Sequence, residues 1–256
     1  MKQYKVFLSK DILEQIKNHK GIVIIILFCM VGIISPALAK LTPWFIEIFS
    51  HDLAETGISI GQIQVDAVTS WTQYFKNMTM MLIVFVVMFS NILVSEYERG
   101  TLVILVSKGL KRKNILLSKM SVLVLFWTIG CLLSFLITYI YTDYFWDNAL
   151  IAQLFFTMFC FYLLGLYLCS LILLASVMTR SLSMVILFTG LCFFGFYLLG
   201  LFPQLTMYVP ASLLNYATLL MVTQIEIGYY YPVIITFMLI VVHLIVSLFL
   251  FRKTRL

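Results

Sequence analysis

Few side chains in this sequence are placed to do chemistry, and the densest group lies between Asn91 and Lys119, NILVSEYERGTLVILVSKGLKRKNILLSK. Glu96, Glu98 and Arg99 close one apolar run. Gly100-Thr101 interrupts the pattern and starts a new helix, with Thr101 as its N-cap. Leu102, Leu105, Val106 and Leu110 then recur at helical spacing ahead of Lys111, Arg112 and Lys113. This order predicts a short amphipathic helix lying at a membrane surface between two spans. It offers a charged docking surface rather than a reacting group. The plainer reading, an ordinary basic loop, gives no reason for an acidic pair, a Gly-Thr break, an apolar stripe and a basic cluster to follow one another.

Elsewhere the chemistry is sparse. No span interior holds a carboxylate, lysine or arginine, which argues against a secondary transporter or pump that works alone. His243 is the one ionisable residue deep in a span, and a neutral histidine bonded to a neighbouring helix is the expectation for it. His19 and His51 fall far from it and on opposite sides, with no metal-ligand spacing. Five cysteines, Cys29, Cys131, Cys160, Cys169 and Cys192, sit in apolar runs without a CxxC pair and read as small buried side chains. HExxH and GxSxG are absent, and so is GxxxxGK[ST], so this chain cannot itself cradle ATP phosphates. Scattered hydroxyls and Gly165, Gly190 and Gly195 read as helix-packing contacts.

The elements that position these residues follow from composition. The 256 residues are 62% hydrophobic and 11% charged, too poor in charge for a soluble domain of this size. Apolar blocks reach the roughly 20 residues that cross a bilayer, and the alternating strands of a barrel are absent. Residues 1–20 form a basic amphipathic helix, with Leu8, Ile12 and Ile16 on one face. Spans are expected at 21–39, 77–95, 120–142, 149–177, 184–201 and 232–251, with the charged loop at 96–119. Ala37-Leu38-Ala39 mimics a signal-peptide cleavage site, but the run before it has full span length and Asp11 and Glu14 make an odd n-region. Between spans one and two lies a polar segment with turns at Gly57 and Gly61, flanked by Trp44, Phe45, Trp71, Tyr74 and Phe75 as an aromatic belt. Pro203 and Pro210 break the chain after span five, and 211–223 then forms a short helix lying in the outer leaflet or dipping back. On this topology fifteen of the seventeen basic residues lie inside, and seven of the eleven acids outside. That bias predicts both termini in the cytoplasm, and it assigns the net charge of +6 to membrane borders rather than to nucleic acid.

In this pattern the chain resembles the membrane (permease) subunit of a bacterial type-2 ABC exporter. The resemblance rests on Glu96, Glu98, Gly100-Thr101-Leu102, Leu105, Ser107, Arg112, Leu116 and Lys119; Lys108-Gly109 stands where the family often has a proline. It implies a single all-α polytopic membrane domain with six transmembrane helices. An interfacial elbow helix precedes the spans, a cytosolic coupling helix joins spans two and three, and short outer re-entrant helices lie between spans five and six. It also implies that Glu96, Glu98, Arg99, Gly100, Thr101, Leu102, Leu105, Lys111 and Arg112 dock a separate ATP-binding cassette subunit. That subunit would bind ATP and Mg, and this chain would hold no cofactor or metal and would not be an enzyme by itself. Two membrane subunits, identical or paralogous, would pair in the bacterial cytoplasmic membrane among its lipid. The cargo implied is hydrophobic or amphipathic, similar to that of peptide, toxin or antimicrobial-peptide exporters, and fold alone does not fix it. Two other readings stay open: a non-transporting accessory or sensor protein whose basic loop binds anionic lipid, and a membrane enzyme of unrecognised type.

Overall fold

The computed structural model describes residues 2–54 and 65–253, and every regular element among them is helical. In chain order these are α1 (Lys2–Lys17), α2 (Lys20–Ala54), α3 (Ala67–Phe89), α4 (Val94–Glu98), α5 (Thr101–Ser107), α6 (Arg112–Phe145), α7 (Leu154–Thr179), α8 (Leu182–Leu199), α9 (Tyr216–Met221) and α10 (Tyr230–Lys253). Six of these segments are long and apolar enough to cross a membrane. Helix α7 is the hub, packed by α3, α6, α8 and α10, and most of its residues are buried. Helices α8 and α10 stay largely exposed along apolar faces, as suits helices whose solvent is lipid.

Helix α2 runs unbroken past Ala39 to Ala54, with Pro36 and Pro43 inside it, where the sequence suggested a span ending at 39 and a polar loop. The Pro36 ring has no N–H for the carbonyl of Gly32 one turn back. The Thr138 hydroxyl of α6 donates to that carbonyl instead, at 3.1 Å. Gly32 makes this contact possible, because a Cβ there would stand 2.9 Å from the Ser134 carbonyl oxygen. A neighbouring helix therefore satisfies the group that proline leaves free. The suggested turns at Gly57 and Gly61 lie outside the described residues, as do Glu55 and Arg255.

Helix α3 begins at Ala67, capped by the Asp66 carboxylate, which accepts from the Thr69 N–H at 2.9 Å. Its first turns carry Trp71, Tyr74 and Phe75, expected in an aromatic belt but fully buried in the bundle core. The Trp71 ring lies tilted against Phe135 (centroids 5.2 Å apart), and its indole donates to Asn148 Oδ1 at 2.9 Å. Tyr74 and Ser134 exchange a hydrogen bond at 3.0 Å, and Ser70 and Thr142 one at 2.8 Å. Inside lipid these polar pairs and the fit of the aromatic rings hold helices together, because burial from water no longer drives them. Trp44 and Phe45, by contrast, are exposed. Gly165 lies directly beneath the Trp127 indole, so α6 and α7 pack at close range there. A Cβ on Gly190 or Gly195 would meet nothing within 4 Å among the described residues, so neither makes such a close approach there.

Helix α3 stops at Phe89, and α4 follows a turn over Ser90–Leu93. Helix α6 starts at Arg112, so Arg112 to Lys119 belong to the first turns of a long helix rather than to a loop. Between α8 and α10 the chain makes 3-10 turns at Thr206–Tyr208, Pro210–Leu214 and Ile227–Tyr229 around short α9. Most basic residues gather at the end that carries α1, α4 and α5 (the basic end). Asp66, Asp143, Asp147 and Glu226 lie at the other (the acidic end).

Candidate functional site

At the basic end, α1 and the first turns of α6 enclose α4. Phe7, Asp11 and Gln15 recur every four residues on α1 and form its buried face. Asp11 therefore points inward from an otherwise basic helix. Lys119, two turns into α6, is almost wholly buried between Asp11 and Glu96. Its ammonium donates to Asp11 Oδ1 at 2.9 Å and to Glu96 Oε1 at 2.6 Å. The Ser118 hydroxyl donates to the other Asp11 oxygen at 2.7 Å. Lys10, half-exposed, donates to Glu96 Oε1 at 3.1 Å and lies 3.4 Å from Glu14. Arg99 reaches Glu14 at 3.8 Å. One ammonium thus fastens three elements, α1, α4 and α6, at one point.

Taking charges out of water is costly, and only a paired, hydrogen-bonded arrangement sustains it. Burial pushes the Asp11 carboxyl above the usual carboxylate range, against the Lys119 charge and the Ser118 and Lys119 hydrogen bonds, while the nearby Glu96 charge adds to the rise. Burial alone would lower the Lys10 ammonium, but Glu96, Asp11 and Glu14 outweigh it and raise its pKa. Oxygens of Asp11, Glu14 and Glu96 lie within 4.8 Å of one another, a spacing that could hold a metal ion. Lys10 and Lys119 already supply positive charge at that point, so the cluster is complete as an ionic joint.

The residues singled out from the sequence separate into two groups. Glu96 and Leu102 are buried and hold the segment down. Leu105, half-buried, packs on the core with Val106 and Leu110, the face that their spacing indicated. Arg112 Nη1 donates to the carbonyls of Phe251 and Arg252 at 3.2 and 3.1 Å, closing the end of α10. Glu98, Arg99, Gly100 and Lys111 are exposed, joined by Val103 and Ile104, which the sequence reading passed over. Thr101 is not the N-cap of α5. Gly100 takes that position in the left-handed region (φ 65°), and the Thr101 hydroxyl donates back to the Glu96 carbonyl at 3.3 Å. The left-handed residue turns the chain sharply between α4 and α5, which glycine tolerates without a Cβ penalty.

Asp11 and the role of Lys119 as a shared partner were missed. The available signal was two oddities: an acid in the middle of a basic helix, four residues from Phe7, and a lysine as the eighth residue of what becomes a membrane-length helix. The turn from α7 to α8 also joins this region, since Arg180 (φ 54°) lies over the Tyr97 ring of α4, 5.2 Å from its centroid. Deeper in the bundle, His243 Nδ1 lies 3.1 Å from Ser170 Oγ. The Ser170 hydroxyl also bonds the Tyr167 carbonyl at 2.7 Å, so the imidazole holds the serine as a packing contact between α7 and α10, not as an activated nucleophile. An apolar groove of about 170 Å³ lies between α3 and α8, lined by Ile83, Val87, Thr189, Gly190 and Phe193.

The site is a short, partly exposed element tied to α1 and α6 by one buried ammonium at the border of a membrane-length bundle. No curated protein matches the chain. The family described as ABC-2 family transporter protein matches residues 6–256, nearly the whole sequence. The chain thus belongs to the ABC-2 transporter family, as a multi-pass type-2 ABC permease subunit whose family implies an ATP-binding cassette partner.

Proposed function

We propose that this chain is the membrane-spanning half of an ATP-driven exporter, with a separate ATP-binding subunit docked on α4–α5. The observation that carries this reading is the Lys119 joint. A segment pushed by a partner transmits force only if it does not bend on its own support. Here Glu96 ties α4 to α1 and α6 through one buried ammonium. The exposed surface left for a partner is Glu98, Arg99, Val103, Ile104, Lys108 and Lys111, apolar at its centre and charged around it. ATP and Mg stay in the partner. Movement of α4–α5 tilts α3 and α6 directly, and α7–α8 through Arg180.

The positive-inside bias supports a cytoplasmic basic end with both termini there, in a bacterial cell membrane. A second copy or a paralogue completes the pathway. The α3–α8 groove supports a hydrophobic or amphipathic cargo, a peptide in the reading we favour, released outward. The test is reconstitution with the ATP-binding protein. Ile104→Glu places a charge in the centre of the docking face without touching the joint, and should abolish co-purification and cargo-stimulated hydrolysis. A variant that still binds and hydrolyses at the wild-type rate would overturn the assignment of this face.

A further inference from the structure

At the acidic end the chain between α8 and α10 roofs a cavity of about 330 Å³, at the small end of the roughly 300–1,000 Å³ typical of ligand sites. Leu213 and Leu219 line it from the roof, Met207 from one side, and Tyr229 and Pro232 where α10 begins. Its polar lining is Thr206, Ser212, Asn215, Glu226 and the Tyr229 hydroxyl, with the Cys160 thiol, and Glu226 carries its charge. The Ser212 hydroxyl donates away to the Val209 carbonyl at 2.7 Å, and Thr206 to the carbonyls of Gly200 and Phe202 at 3.0 Å. Both therefore have only lone pairs left to offer a ligand. Glu226 also lines the cavity, is exposed, and pairs with no basic side chain among the described residues. No lysine or arginine lines it.

A preformed apolar pocket with a carboxylate, spare acceptor oxygens and a tyrosine ring matches one ligand chemistry. We propose that this cavity binds a small amphipathic organic cation: an ammonium group held by Glu226 and the Tyr229 ring, with its apolar body against Leu213, Leu219 and Met207. An anion is disfavoured by the carboxylate, and a bare metal ion by the apolar walls. The assignment goes beyond the export reading and is independent of it, because binding needs neither an ATP-binding partner nor transport.

The probe is phenethylammonium, titrated by calorimetry into the purified full-length chain in phosphatidylcholine nanodiscs, with phenethyl alcohol as its neutral counterpart. Saturable binding of the cation is expected. Glu226→Gln, at an exposed side chain without a bond among the described residues, should keep the thermal midpoint, weaken the cation about tenfold or more, and leave the alcohol unchanged. Gly228→Leu tests shape rather than charge. A Cβ at Gly228 already stands 3.4 Å from Met207 Cε, so a longer side chain fills the cavity and should remove both ligands. No saturable binding of the cation, or an affinity unchanged by Glu226→Gln or by Gly228→Leu, would overturn the proposal. Loss of docking at α4–α5 would leave it standing.

Discussion

Lys119→Met is the sharpest perturbation of the ionic joint. Methionine keeps the stem of the side chain and removes the ammonium, leaving Asp11 and Glu96 buried without their shared partner. One Glu96 oxygen already lacks a hydrogen bond among the described groups, and the half-exposed Lys10 at 3.1 Å from the other is the partner left to the carboxylate. Breaking a buried pair in this way costs about 3–5 kcal/mol. Glu96→Gln keeps the shape and leaves Lys119 paired with Asp11, and should cost only about 1.5–3 kcal/mol, the worth of a hydrogen bond to a charged group. The two losses share one interaction and are not additive, with a coupling of about 0.5–3 kcal/mol expected in the double variant. The triple replacement Asp11→Asn, Glu96→Leu, Lys119→Met removes every buried charge at the point and should recover most of the loss. Thermal unfolding of the purified protein, followed by labelling of buried Cys131, Cys160 and Cys169 with a thiol-reactive dye, reads all four variants. Strict additivity, or a Lys119→Met protein as stable as the wild type, would refute the view that this ammonium carries the joint.

Three further outcomes follow from particular contacts. The raised pKa of Asp11 means that the folded state holds its proton more tightly than the unfolded chain. Its contribution is thus complete below the ordinary value of 3.8 and is lost as pH rises through the raised one; Asp11→Asn should flatten that part of the stability profile. Gly165→Ala drives a methyl into the Trp127 ring, which is itself held by a 3.1 Å bond to the Tyr162 carbonyl. A loss of about 1–3 kcal/mol is expected in the same unfolding assay. Gly100→Ala has open space for its methyl but a left-handed backbone, so it should cost about 1–2 kcal/mol, Gly100→Asn less, and limited proteolysis should cut near α4–α5 first.

Much of this molecule was legible before any packing was known. Helix spacing placed Leu102, Leu105 and Val106 on the face of α5 that meets the bundle, with Leu110 packed on the same core just beyond the helix, because that periodicity is a local property of the backbone. Block length and low charge required membrane-crossing helices, because a bilayer core demands about 20 apolar residues of any segment that spans it. The family resemblance drawn from the 96–119 pattern holds over residues 6–256.

Other features depend on what stands opposite a residue, which no local pattern states. Trp71, Tyr74 and Phe75 have the composition of a membrane-border belt, and only their register against α6 and α7 sends them into the core. Pro36 leaves the Gly32 carbonyl without its helical partner, and only the packing of α6 shows that Thr138 answers it. Glu96 reads as a surface acid, and its burial follows from two residues far away in sequence, Asp11 and Lys119, meeting at one ammonium. The sequence by itself determined that the chain is a set of membrane-length helices and which medium surrounds them, since both follow from block length and hydropathy along the chain. The tertiary structure alone decided which charges are hidden and what they hold, because a charge is buried only when distant segments together supply its counter-charge.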